Sequence, residues 1–96
     1  MAIQSFSDPL TEQFFESGRI PSKAGWRNVH SVVQRKLDLL HFAAKLEDLK
    51  SPPGNRLEAL KGSLAGFYSV RINDQWRCIF KWTDEGPTDV EICDYH

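Results

Sequence analysis

Ninety-six residues, with twelve Lys and Arg against thirteen Asp and Glu for a formal net charge of −1, give room for one small domain spanning residues 1–96 and no second one. Taken whole, so neutral a balance argues against a nucleic-acid partner, because affinity for phosphates comes from clustered cations. No apolar run nears the ~18 residues needed to cross a membrane, and no basic-then-apolar leader opens the chain, so a cytoplasmic protein with reduced Cys78 and Cys93 is expected.

In chain order, Ser7-Asp8-Pro9 places an N-cap carboxylate before a proline at the first helical position, which predicts a helix from Pro9 to about Ser17, ended by Gly18. The basic segment Gly18–Gly25 carries nothing that forces order and is expected to be mobile. From Trp26 to about Ala44, Val29, Val32, Val33, Leu37, Leu40 and Ala44 recur at three- and four-residue intervals, predicting an amphipathic helix of about five turns. Leu39, Phe42, Ala43 and Leu46 widen its apolar stripe and offer a surface for a partner. His30 and His41 are too far apart on that helix to share a metal and are expected at its surface or ends.

Two prolines and a glycine within Ser51–Asn55 break the helix. Beyond them, Phe67–Asn73, Trp76–Trp82 and Thr88–Tyr95 read as three antiparallel strands in a meander, with the opening segment as a further edge strand and the helices on one face, an α+β arrangement. Alternation assigns Tyr68, Val70, Ile72, Trp76, Cys78, Phe80, Trp82, Val90 and Ile92 to the core face. The reverse face then carries Ser69, Arg71, Arg77, Ile79, Lys81, Glu91, Cys93 and Tyr95. Pattern alone leaves two readings for that face: a solvated polar surface, or a basic one that holds phosphates.

At the end of the last strand, Asp94-Tyr95-His96 places three groups able to orient or exchange protons close to those arginines. Asp94 and a terminal carboxylate beside His96 favour its imidazolium, which suits a general acid.

Three stretches, Arg56-Leu57-Glu58-Ala59-Leu60-Lys61-Gly62, then Gly66 through Arg77 (GFYSVRINDQWR), then Asp94-Tyr95-His96, occur in this order. Together they resemble the HigB-type toxins of the RelE/ParE superfamily. The resemblance implies a RelE-like microbial RNase fold, with two N-terminal helices packed on one face of a small antiparallel sheet. It also implies a type II toxin that cuts messenger RNA on the ribosome, with no metal or other cofactor. By the same resemblance Lys61, Asp94, Tyr95 and His96 are active-site residues, and Arg71 and Arg77 stabilise the phosphate. Some HigB-like toxins have a histidine three residues before that lysine, where this chain has Glu58. The general base is then either Glu58 or a Tyr95 phenolate, and His96 is the preferred acid. The implied partners are a separate helix-turn-helix antitoxin of the HigA type, the ribosome with its message, and operator DNA reached only through the antitoxin complex; no membrane is involved. Two other functions remain open at this point: inhibition of DNA gyrase, as in ParE-like relatives, and a non-catalytic RNA- or protein-binding module.

The net charge also divides unevenly along the chain. Residues 1–49 balance, six against six, and residues 83–96 carry only anions. Residues 50–82 hold Lys50, Arg56, Lys61, Arg71, Arg77 and Lys81 against Glu58 and Asp74. RNA contacts are therefore expected from Arg56, Arg71, Arg77 and Lys81, with weak affinity for RNA away from the ribosome.

Overall fold

Asp8 begins the first helix as its sequence predicts. In the computed structural model, which describes residues 2–94, its Oδ1 accepts from Leu10 N at 3.1 Å and its Oδ2 from Thr11 Oγ1 at 2.7 Å. Helix α1 spans Pro9–Ser17 and closes on Gly18, whose φ of 75° lets its N–H reach Phe14 O at 2.9 Å. The segment that follows is held more firmly than its composition predicts. Pro21 O accepts from Ala24 N, Ala24 is buried, and a Cβ on Gly25 would stand 2.7 Å from the Trp76 indole. Gly25 is therefore required by space, and this end of the 18–25 segment is anchored.

The long helix is shorter than its periodicity suggests. A 3-10 turn over Arg27–Val29 precedes α2, His30–Phe42, because Val29 (φ −120°, ψ 26°) leaves the helical region. Trp26 is buried with its ring 5.2 Å from Phe14, and turning that indole into the core takes the backbone off a continuous helical path. Past α2 the chain is extended at Ala43, which is buried where Ala44 was expected to be. Asp48 Oδ2 then accepts from the N–H groups of Ala44 and Lys45.

Among the described residues four antiparallel strands follow in the order β1-β2-β3-β4: Glu58–Ala59, Phe67–Arg71, Trp76–Thr83 and Gly86–Asp94. β1, only two residues long, carries no readable period and was not anticipated. Among the described residues the opening segment makes a single parallel bridge, Phe6 to Val90, at the outer edge of β4 in place of a full strand. It is secured there by Gln4 N to Pro87 O (2.8 Å), Val90 N to Ser5 O and Ser7 N to Val90 O. β4 also contains a bulge: its register against β3 shifts between Ile79 and Lys81, and Asp89 takes φ 52°.

Helices and sheet share one core, in which Val33, Leu37, Leu40, Cys78, Phe80 and Val90 are wholly buried. Each of the valine, leucine and phenylalanine side chains among them contributes about 1.5–3 kcal/mol by leaving water. The face predicted to be apolar is the one covered by the helices; Tyr68, Trp76 and Trp82 pack at its margins. Thr11 ties α1 to the sheet, its Oγ1 accepting from Ile92 N at 3.4 Å.

Candidate active site

On the reverse face the register aligns the predicted residues in rows. Arg71 is the direct cross-strand partner of Arg77, which in turn faces Cys93. The neighbouring row runs Glu58, Ser69, Ile79, Glu91, and the far row pairs Phe67 with Lys81. Four residues of strand, about 13 Å at 3.3 Å per residue, separate the Arg77 and Lys81 rows.

This face is not simply open to solvent. Ser69, Arg77 and Ile79 are buried, and Arg77 is only 6% exposed. Its Nη2 donates to Ser69 Oγ at 2.7 Å and to Arg56 O at 3.4 Å, and stands 3.4 Å from Glu58 Oε1. β1, the edge strand beside β2, and the loop before it thus wall that edge of the sheet, and a guanidinium whose Nη2 meets three oxygens is fixed in direction as well as place. Arg71 remains partly exposed and bonds Asp74 in the hairpin turn. Two guanidiniums directly opposite each other repel in a sheet. An anion lying over both removes that repulsion.

The predicted residues separate into groups. Arg77, Glu58, the Arg56 carbonyl and Arg71 come together. Lys61 is exposed just past β1, beside the start of β2, where Leu60 N donates to Phe67 O. Lys81 lies apart from the arginine row, with its Nζ 5.1 Å from the Phe67 ring centroid and 3.9 Å from Asp89, which the bulge brings to it. Asp94 closes β4 opposite Trp76 and accepts from Gln75 Nε2 at 3.0 Å; alternation puts it on the side of Ile92. Tyr95 and His96 lie outside the described residues.

Neither cysteine is poised as a nucleophile. Burial pushes both thiols up, Cys78 most, and at Cys93 the anions Glu91 and Asp94 add to that effect while Arg77 opposes it. His41 serves packing: its Nδ1 accepts from Ile3 N, and its ring stands 5.2 Å from Phe15 and 5.0 Å from Phe42. Phe42 is 79% exposed beside a shallow groove lined by Arg35, Leu39 and Asp48. Among the described residues no helix is long and apolar enough to cross a membrane.

The family model for the RelE-like toxin of type II toxin–antitoxin system HigB matches residues 4–96. The chain belongs to this family. It is similar to Toxin HigB-1 of Vibrio cholerae serotype O1, 42% identical over 88 residues that cover 88% of this chain and 86% of that toxin. An uncharacterized protein of Haemophilus influenzae is 37% identical over 89 residues, covering 93% and 87%. Among solved structures, the YoeB dimer from Staphylococcus aureus aligns with a TM-score of 0.56 at 20% identity, covering 100% of this chain and 97% of that one. The YoeB/ParE toxin from Agrobacterium tumefaciens aligns at 0.52 and 21%, covering 100% and 99%. At these identities the structural likeness establishes the α+β RelE-type fold. The HigB-type chain is thus a toxin of a type II toxin–antitoxin system, and its partner is an antitoxin protein.

Alternation puts Ser69 on the face of Arg77, and the structure adds that it is buried there as an acceptor for that guanidinium. Lys36 carries a signal in the sequence that periodicity of apolar residues passes over: it is a charged residue three after Val33 and four before Leu40, in the middle of an apolar stripe.

Proposed function

We propose that this HigB-type toxin, read as a single domain over residues 1–96, is a ribosome-dependent endoribonuclease that cuts messenger RNA by acid–base chemistry without a metal. The observation that carries this reading is the nearly buried Arg77 guanidinium, oriented by Ser69, Arg56 O and Glu58 and directly opposite Arg71. Cleavage requires that the 2′-hydroxyl lose its proton as its oxygen attacks phosphorus, that the doubly charged phosphorane be neutralised, and that the departing 5′-oxygen be protonated. Arg71, Arg77 and Lys61 supply fixed positive charge for the phosphorane. Each well-placed donor of this kind is worth about 3–4 kcal/mol of transition-state stabilisation.

Glu58, a carboxylate already in contact with Arg77, or the Tyr95 phenolate takes the 2′ proton, His96 gives one to the leaving oxygen, and Asp94 orients that end of the chain. Arg56 and Lys81 hold flanking phosphates. The ribosome delivers and aligns the message, supplying by position what a lone chain of near-zero net charge lacks. The toxin acts in the cytoplasm, its antitoxin is of the HigA helix-turn-helix type, and operator DNA is met only through the complex.

The test is expression of wild type, Lys61→Ala and Arg77→Ala, with 5′-end mapping of messages on ribosomes. Wild type is expected to give new ends within translated codons, and each variant to lower their yield by roughly a hundredfold. Growth arrest with intact messages overturns the reading, and arrest with DNA damage points to gyrase.

A further inference from the structure

The loop that walls the sheet is anchored from the opposite side of the fold. Asn55 is wholly buried; its Nδ2 donates to Leu49 O at 3.1 Å and Ser51 O at 3.2 Å, and its N–H to Pro52 O at 2.9 Å. The remaining amide oxygen, Oδ1, accepts from Lys36 Nζ. Lys36 is only 6% exposed, in the middle of α2 among Val33, Leu37 and Leu40. Burial, reinforced by Arg35 and Arg71, lowers its pKa. An amine in such surroundings is costly, and an apolar side chain of similar length would fill the space more favourably. The lysine is therefore poorly explained by packing alone.

Its hydrogen-bond partner leads directly to the site. Arg56, next in the chain after Asn55, is a non-glycine residue with φ 48°, a conformation that persists only where its surroundings enforce it. The carbonyl of this left-handed residue accepts from Arg77, and Glu58 reaches the same guanidinium two residues later. Direction is what a left-handed residue controls: relaxing Arg56 toward a common conformation rotates its carbonyl and re-aims β1.

We propose that Lys36 and Asn55 are positioning residues whose buried hydrogen bond fixes the left-handed turn at Arg56, and so aims the Arg56 carbonyl and the Glu58 carboxylate at Arg77. Lys36 acts from the helix-covered side and touches no substrate. The hydrogen bond is the working element, since a neutral amine still has N–H groups to donate, though more weakly than an ammonium.

The inference rests on the ribonuclease reading for its catalytic consequence but not for its structural one, so two readouts are taken on the purified full chain. The first is the Arg77 Nε–Hε resonance, assigned by Arg77→Lys; the second is the rate of message cleavage on saturating ribosomes, with the concentration giving half that rate. Lys36→Met is expected to shift or broaden the Arg77 resonance. It is expected to slow cleavage roughly tenfold to a hundredfold, as a misplacement of about 1 Å does, with half-saturation unchanged within about twofold. Lys36→Gln, which keeps an N–H donor without the charge, is expected to recover most of that rate. Leu37→Ala, an ordinary core truncation at the adjacent position, should lower the melting temperature while leaving the Arg77 resonance in place. If Lys36→Met does not fold, Asn55→Ser withdraws the acceptor from Lys36 and carries the same two readings. An Arg77 resonance unmoved in the folded variant, or moved equally by Leu37→Ala, overturns the proposal. Absence of cleavage by wild type overturns the ribonuclease reading instead, and the resonance still decides the positioning one.

Discussion

Arg77 and Lys36 are both cations that the fold has taken almost wholly out of water, and they are treated differently. Arg77 has a carboxylate, a hydroxyl and a carbonyl around it, while Lys36 donates to the amide oxygen of Asn55. The consequence for stability can be read with its sign. Because burial holds the folded-state pKa of Lys36 below its ordinary 10.5, the unfolded chain binds the proton more tightly. The charged lysine therefore costs stability below the folded-state pKa, and that cost disappears as pH rises toward 10.5. Urea unfolding of wild type and Lys36→Met at pH 7 and pH 9.5 should show the difference moving in favour of wild type at the higher pH. A constant difference would mean that Lys36 does not lose its proton more readily in the folded state.

At the scale of elements, α1 is held at each end by a different device. Asp8 satisfies Leu10 N and the Thr11 hydroxyl at its start, and that same hydroxyl accepts from β4. Asp8→Ala should lower stability by about 1–2 kcal/mol, the upper part of the range for a lost N-cap, because it also frees the buried Thr11 hydroxyl. Thermal unfolding followed by circular dichroism measures it, and a loss under about 0.5 kcal/mol would place Thr11 outside the cap's influence. Gly25 makes the corresponding contact between the 18–25 segment and β3. Gly25→Ala drives a methyl group to 2.7 Å from the Trp76 ring, and should cost about 1–3 kcal/mol as the indole is displaced. Near-ultraviolet circular dichroism, which reports tryptophan packing, should change together with the melting temperature.

For the molecule as a whole, charge placement matters more than its total. Arg71 and Arg77 share one face of the sheet and Lys61 lies just past β1, while Asp84 and Glu85 lie in the β3–β4 turn. If those three cations hold phosphates, binding of single-stranded RNA without ribosomes should weaken with salt on a logarithmic slope of about −2, three contacts at roughly −0.7 each. Filter binding between 50 and 200 mM salt measures that slope. A slope beyond about −5 would require a broader basic surface than this fold presents.

The amino-acid sequence by itself determined the start and stop of α1, the three long strands and the residues on each side of the sheet, because caps, turn residues and period-two alternation are local properties. It also carried the family, through three short stretches in a fixed order. Tertiary structure decided where periodicity had no voice. Trp26 seeking Phe14 shortened the long helix, a two-residue β1 formed only because β2 was there to receive it, and the opening segment reduced to one bridge against β4. The same holds for the site. Arg71 and Arg77 were legible as neighbours on one face, but the burial of Arg77 came from a loop whose residues are remote from it in sequence. That loop is held by a lysine on the far side of the fold, and contacts between elements distant along the chain leave no period for a sequence to display.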